Sequence, residues 1–495
     1  MKKEIKTALI SVFYKDGLDE IVKLLHKRGV KIISTGGTAE FIRKLNVPVT
    51  EVETITDFPS IFGGRVKTLQ PLIFGGILNR RENKEDQKEK AKYKIADIDL
   101  VIVDLYPFGE ILAHGGNEEE IIEKIDIGGV ALIRAAAKNF NDVVVISSMN
   151  QYQVFCKILE QRNATTLEER KKFAGEAFQI TSSYDTAIRG YFQNAPLRYG
   201  ENPHQKGSFV GNLSESFTQL QGKELSYNNL IDTEAAINLV YDFKDPAFAI
   251  IKHTNACGLS VKKESQLLEA YKAAYKADPL SAFGGILAAN RQIDEGIAKL
   301  IKKQDLFAEV IIAPDFTPKA LEIFKEKKNC RILKLNNPIL PEKQMRTCFT
   351  GLLVQDKDTQ VENEKDLTVV TKRKPTKKEV KDMLIAAVVT KHLKSNSVAL
   401  VKSGALISMG CGQTSRVDAL KQAIEKAKKF GFSLKGAALS SEAFFPFPDC
   451  VEIAGKVGVS AVIQPGGSKN DQASIEMANK YKMAMVTTGF RHFKH

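Results

Sequence analysis

Short apolar runs alternate with helical segments along the first 195 or so residues, and this rhythm limits the possible folds more than any other feature of the chain. "TALISV" is followed by "GLDEIVKLLHKRG", where Leu18, Ile21, Val22 and Leu25 share one helical face and Gly29 is a stop signal. "VKIIS" and "TGGTAEFIRKL" repeat the pair, and "DLVIVDLYPF" and "DVVVIS" add two more strands. Strands separated by helices predict an α/β fold, a parallel sheet with helices on its faces. A loop-rich stretch, Gln193–Gly207, breaks the rhythm, so a domain boundary is expected there, giving domains 1–195 and 196–495. The later half alternates again through "FAIIK", "GGILAA", "AEVIIAP", "SVALVKSGALISMG", "SAVIQPGG" and "AMVTTG". It is long for one domain, which predicts two related α/β lobes, although no repeat is evident in the letters.

The bulk numbers narrow the function. Apolar residues are 43% and charged residues 26% of the 495, as in ordinary globular proteins. No apolar stretch has the length of a membrane span and no signal peptide is evident, so no membrane role is expected. Six cysteines without a C-x-x-C pair suit a reduced, cytoplasmic setting. Seven histidines without zinc spacing argue against a catalytic metal. The net charge of +13 fits either nucleic acid or small anionic substrates. The lysines are dispersed over surface-type helices and no aromatic-and-basic module accompanies them, so anionic metabolites are favoured and no nucleic acid is expected.

Several stretches carry chemistry. In "IKHTNACG", Lys252 and His253 follow a buried apolar run, and Asn255 and Gly258 support a turn there. The end of a strand in an open α/β sheet is where ligands bind. A nearby ammonium keeps the imidazole neutral and able to accept a proton. "STGGTAEF" is a glycine turn opening a helix, suited to a phosphate. "FGGRVKTLQP" sets Arg65 and Lys67 beside two glycines, as an anion site would. Tyr106 in "DLYPF" falls past a strand end. In "IDIGGVALIRAAAKN", Asp126 could be a helix cap and Lys138 could answer the helix dipole. "RYGENPHQ", "DPLSAFGG", "SNSVALV", "GCGQTSR" and "SSEAFFPFPD" add polar and aromatic groups in loops of the second half. Phe493 in "RHFKH" argues that the C-terminus is anchored.

Taken in order, "STGGT", "GGRVKTL", "LYPF", "IDIGG…RAAAKN", "RYGENPHQ", "IKHTNACG", "SAFGG", "SNSV", "GQTSR" and "AFFPF" resemble one family over essentially the whole chain. It is the family of bifunctional purine-biosynthesis enzymes, phosphoribosylaminoimidazolecarboxamide (AICAR) formyltransferase/IMP cyclohydrolase. The resemblance implies an N-terminal methylglyoxal-synthase-like domain that closes the purine ring. It also implies a C-terminal transformylase of two cytidine-deaminase-like lobes, without catalytic metal. The substrates implied are AICAR, its formylated form FAICAR, and 10-formyltetrahydrofolate as co-substrate. A homodimer with transformylase sites at the subunit interface is also implied, and a structural monovalent cation is left open.

The resemblance also distributes roles. For formyl transfer it makes His253 the base, assisted by Lys252. Nucleotide contacts fall on Arg198, Tyr199, Gly284, Glu309, Asn396, Arg416 and Arg491, and folate contacts on Val417, Phe444, Asp449 and Ser468. For ring closure the candidates are Lys67, Tyr106, Asp126 and Lys138, with Lys138 as proton carrier. Ser34, Thr35, Gly36, Gly37, Thr38 and Arg65 hold phosphate and base, with Ser11, Lys15, Thr68, Asp104 and Gly128 around them. Three positions depart from the family pattern. Ala256 stands where proline is frequent. Asp104 replaces an asparagine and is acceptor-only when ionised. Phe13 and Tyr14 replace smaller polar residues in the first turn.

Overall fold

The computed structural model describes residues 2–336, 341–349 and 351–495, and the chain divides into two compact units, residues 1–194 and 195–495. The first unit is laid down as β1 (Thr7–Ser11), α1 (Leu18–Lys27), β2 (Lys31–Ser34), α2 (Gly36–Lys44) and β3 (Thr50–Glu51). It continues with β4 (Leu100–Val103), α3 (Gly128–Lys138), β5 (Val144–Ile146) and the long α4 (Leu167–Gln193). The five strands form one parallel sheet in the order β3-β2-β1-β4-β5. β3 is only two residues long and leaves no trace in the apolar pattern. α1 buries the expected Leu18, Ile21, Val22 and Leu25, each burial contributing about 2 kcal/mol. The chain builds outward from β1 in one direction and then resumes at β4 on its other side. The loops after β1 and β4 therefore part at a topological switch point, where a crevice opens at the strand ends.

The second unit begins with β6 (Phe217–Gln221), α5 (Tyr227–Tyr241), β7 (Ala247–Lys252), β8 (Asn255–Val261) and α6 (Leu267–Ala277). β9 (Gly285–Ala289), β10 (Ala308–Ala313) and β11 (Arg331–Leu335) follow. β12 (Lys343–Cys348) and β13 (Gly351–Asp356) form a separate hairpin exposed along its length. Next come β14 (Thr368–Val369), α7 (Lys377–His392), β15 (Val398–Lys402), β16 (Ala405–Gly410) and α8 (Arg416–Lys429). β17 (Ala438–Ser441), α9 (Asp449–Lys456), β18 (Ala461–Gln464) and β19 (Ala484–Thr487) complete the unit.

Apart from β12 and β13, these strands lie in a single 12-stranded sheet, β6-β11-β10-β9-β7-β8-β16-β15-β17-β18-β19-β14. Its centre is the pair β8·β16, with Ser260 opposite Ala405. On either side the same unit recurs: a helix, an antiparallel hairpin, then strands parallel to one another. These are the two related lobes.

Two expectations need correction. "SVALVKSGALISMG" is a hairpin rather than one strand, because Ser403 and Gly404 turn the chain at φ 56° and 75°. β7 runs antiparallel to both neighbours, so the end carrying Lys252 lies beside the beginnings of β9 and β10, not their C-terminal ends.

Candidate functional sites

The crevice at the switch point of the first unit is a cavity of about 670 Å³. Ser11, Lys15, Thr35, Gly37, Thr38, Arg65, Lys67, Thr68, Asp104, Tyr106, Asp126 and Gly128 all line it. The start of α2 presents its first amides there without a side-chain cap, a favourable seat for a phosphate. Thr38 fixes the opposite loop: its hydroxyl donates to the Val12 carbonyl (2.9 Å) and accepts from the Val12 amide (3.1 Å). Ser34 points elsewhere. It is fully buried and its hydroxyl donates to the Ile10 carbonyl at 2.6 Å. Lys67 crosses the glycine turn so closely that a β-carbon on Gly36 would sit 2.7 Å from its Nζ. Arg65, on the rim, is engaged with Glu123.

The acid–base groups are held from several elements. The Asp126 carboxylate accepts the Gly129 amide at 2.6 Å, so it does cap α3. Burial raises its pKa above the usual carboxylate range, against the pull of backbone amides. The phenol of Tyr106 is likewise pushed up, by burial first and then by the charges of Asp126, Glu123 and Asp104. Tyr184 on α4 had no signal in the sequence. Its hydroxyl accepts from the Asp126 amide (2.9 Å) and donates to the Lys124 carbonyl (2.5 Å), pinning this segment.

Two of the three departures from the family pattern, Asp104 and the Phe13–Tyr14 pair, form one arrangement. The Asp104 carboxylate accepts from the backbone amides of Phe13 and Tyr14, and burial raises its pKa. An acceptor-only group suits that position. Phe13 packs edge-on to Tyr106 at 5.6 Å, and Lys124 lies over both rings at 5.9 and 5.8 Å.

Lys138 is not in this cavity. It is the last, exposed residue of α3, while the first residues of that helix line the pocket. Ten residues of helix put it about 15 Å farther along.

In the second unit, β7 ends at Lys252 and a two-residue turn follows, His253 at φ 50° and Thr254 at φ 62°. The Lys252 ammonium donates to the carbonyls of Phe283 and Gly284, each at 3.0 Å. His253, the next residue in the chain and the first of the turn, is exposed. Strand directions place the other candidates at the same end of the sheet. Gly284 and Glu309 lie at the starts of β9 and β10, Asn396 precedes β15, and Arg416 follows β16. Phe444 and Asp449 follow β17, Ser468 follows β18 and Arg491 follows β19. Asn228 at the start of α5 donates to the Glu201 carbonyl, tying in the loop that carries Arg198 and Tyr199.

Several of these groups are already engaged. Glu309 accepts from the buried Arg331 at 2.6 Å, and Arg416 pairs with the buried Glu442 at 3.0 Å. The Asn396 amide donates to the carbonyls of Gln413 and Thr414, Arg491 stacks on Phe493, and the half-buried Val417 packs against the core of its lobe. Arg331 and Glu442 have no signal of their own in the sequence; each stands at the head of a short apolar stretch, "RILKL" and "EAFF". Among the described residues no cluster of three or more His, Cys, Asp or Glu could hold a metal ion.

Comparison with known proteins adds the family. The model for the AICARFT/IMPCHase bienzyme matches residues 136–426, and that for the MGS-like domain matches residues 17–131. The chain is 54% identical to a "Bifunctional purine biosynthesis protein PurH" of Bacteroides thetaiotaomicron, covering 100% of this chain and 99% of that protein. Proteins of the same name from Rhodospirillum rubrum (46%, 99% of both chains) and Thermoanaerobacter sp. (45%, 99% of this chain and 100% of that one) are also similar. With matches of this extent, the chain belongs to the AICARFT/IMPCHase bienzyme family.

Proposed function

We propose that the chain carries out the last two steps of IMP synthesis, one in each unit. The second unit moves a formyl group from 10-formyltetrahydrofolate to the 5-amino group of AICAR. The first closes FAICAR to IMP with loss of water. The observation that carries this reading is the separation of the candidates into two groups: an anion-suited crevice in the first unit and one end of a sheet in the second.

In formyl transfer the amine attacks the formyl carbon and must lose a proton, and the formyl oxygen gathers negative charge. His253 takes the proton and returns it to the folate N10 as the bond from the formyl carbon to N10 breaks. An ammonium has three donors; two of those on Lys252 hold carbonyls, and the third is left for the formyl oxygen. Arg198, Tyr199, Gly284, Glu309, Asn396, Arg416 and Arg491 contact the nucleotide. Val417, Phe444, Asp449 and Ser468 contact the folate. In ring closure the carboxamide nitrogen attacks the new formyl carbon and gives one proton to Asp126; the formamido nitrogen gives up a second proton as its C=N bond forms and the C–O bond breaks, and the formyl oxygen leaves as water. Lys67 and Tyr106 protonate that oxygen. Lys138 can serve as proton carrier only from another copy of the chain.

A homodimer is supported by two features. Met345, Leu352, Leu353 and Val354 are exposed on the β12–β13 hairpin. The start of β10, which carries Glu309, and the end of β16, after which Arg416 opens α8, are four strand steps apart, about 19 Å, so a second copy that brings its own residues across the sheet end closes the site around one nucleotide. A cytoplasmic location is supported by six free thiols, and no described helix is long and apolar enough to cross a membrane. The test is formation of IMP from AICAR plus 10-formyltetrahydrofolate by the purified chain. Absence of both FAICAR and IMP would overturn the proposal.

A further inference from the structure

The turn that carries His253 is built twice. Lys252 follows Asp232 by 20 residues, and Lys402 follows Asp382 by the same 20. Asp232 lies on α5 and Asp382 on α7, each in the helix that precedes its hairpin. The Asp232 carboxylate accepts the Thr254 amide at 2.7 Å. The Asp382 carboxylate accepts the Ser403 and Gly404 amides at 2.9 and 2.7 Å. Both turns have two residues at positive φ. The lysine before each turn donates to two carbonyls of a neighbouring loop: Phe283 and Gly284 for Lys252, Ser433 and Lys435 for Lys402.

The copies differ where it matters. Two-residue turns of this hand favour glycine or asparagine, because positive φ costs other residues roughly 1–2 kcal/mol each. The second lobe uses a glycine, whereas the first holds histidine and threonine there. Something must hold His253 and Thr254 in that shape, and the carboxylate is the group bonded to the turn.

We propose that Asp232 is a positioning residue for formyl transfer, fixing the His253–Thr254 turn through the Thr254 amide and setting an anion beside the imidazole. The inference rests on the reading of His253 as the base. The charged groups that act on the Asp232 carboxylate are His253 and Lys252, both on the hairpin it holds. The second lobe, with Ser403 in place of the histidine, provides an internal control: the same tie without the chemistry.

The experiment uses the full-length chain as Asp232→Asn, Asp232→Ala, Asp382→Ala and His253→Ala. Ring closure of supplied FAICAR reports that each variant is folded. Formyl-transfer kcat and KM are measured for each variant. Asp232→Ala should lower kcat roughly 10–100-fold through misplacement, with the nucleotide KM little changed. Asp232→Asn keeps an acceptor for the Thr254 amide and should restore most of kcat. Asp382→Ala should leave kcat unchanged, even if it lowers the melting temperature as far as Asp232→Ala does. Equal kinetic effects of the two alanine variants, or no recovery of kcat in Asp232→Asn, would overturn the positioning role. Wild-type formyl transfer by His253→Ala would instead overturn the base assignment on which it rests.

Discussion

His492 and Gly36 show how single residues are committed by their surroundings. His492 lies inside the second unit between Asp358 (2.6 Å) and Glu362 (3.0 Å). Burial opposes its charge, but hydrogen bonds and attraction from the two carboxylates outweigh it and lift its pKa to about 9. A raised folded-state value means the stabilisation is complete below the unfolded pKa of about 6.5. It fades as pH rises through about 9. Because Asp358 is half exposed, about 2 kcal/mol is at stake after discounting for solvent. Thermal melts from pH 6 to pH 10 should show a decline in wild type that is reduced in His492→Gln; parallel curves would remove the ion pair from the stability account. At Gly36, φ is 51° and an added β-carbon meets Lys67 Nζ at 2.7 Å. Gly36→Ala should cost about 1 kcal/mol of stability and slow ring closure at least 10-fold, with formyl transfer unaffected. Ring closure at the wild-type rate would show that Lys67 need not sit over the glycine turn.

The elements show what the sequence could and could not reveal. α1 was legible because four apolar residues at helical spacing leave one solution for its buried face. The crevice was legible because glycines and basic groups follow strand ends at the switch point. The second hairpin was not, since Ser403 and Gly404 are small enough to disappear into an apolar run. In the sheet the two lobes are joined through the pairing of β8 with β16, which no local pattern encodes. Lys138 was grouped with Asp126 by motif, but a helix carries the two apart. Tyr184 was silent because a helical tyrosine reads as packing until its hydroxyl partners are known. Its bonds to the Asp126 amide and the Lys124 carbonyl connect α4 to the crevice. Tyr184→Phe should cost about 1 kcal/mol and reduce kcat for ring closure several-fold while formyl transfer is unchanged. A drop in both activities would mean that the whole chain is disturbed rather than this segment.

On the scale of the whole molecule, the chain divides into units 1–194 and 195–495, and in our reading each carries one of the two reactions. The β12–β13 hairpin offers its apolar residues to solvent, and in our reading a second copy covers them. Leu352→Asp with Val354→Lys should shift the chain toward a monomer in sedimentation and depress formyl transfer, while FAICAR is still closed. An unchanged sedimentation coefficient would place the interface elsewhere. The energetics of the two steps fit their combination in one chain. Formyl transfer to a conjugated amine is close to balanced, whereas closing an aromatic ring with loss of water is downhill, so in our reading the first unit drains the product of the second. The most direct test mixes two full-length variants, His253→Ala and Lys67→Ala, with AICAR and 10-formyltetrahydrofolate. Alone, His253→Ala should make neither FAICAR nor IMP, and Lys67→Ala should make FAICAR and stall. Together they should make IMP, because each supplies the step the other lacks. Rapid IMP formation by either variant alone, or none from the mixture of folded proteins, would contradict the assignment of one reaction to each unit.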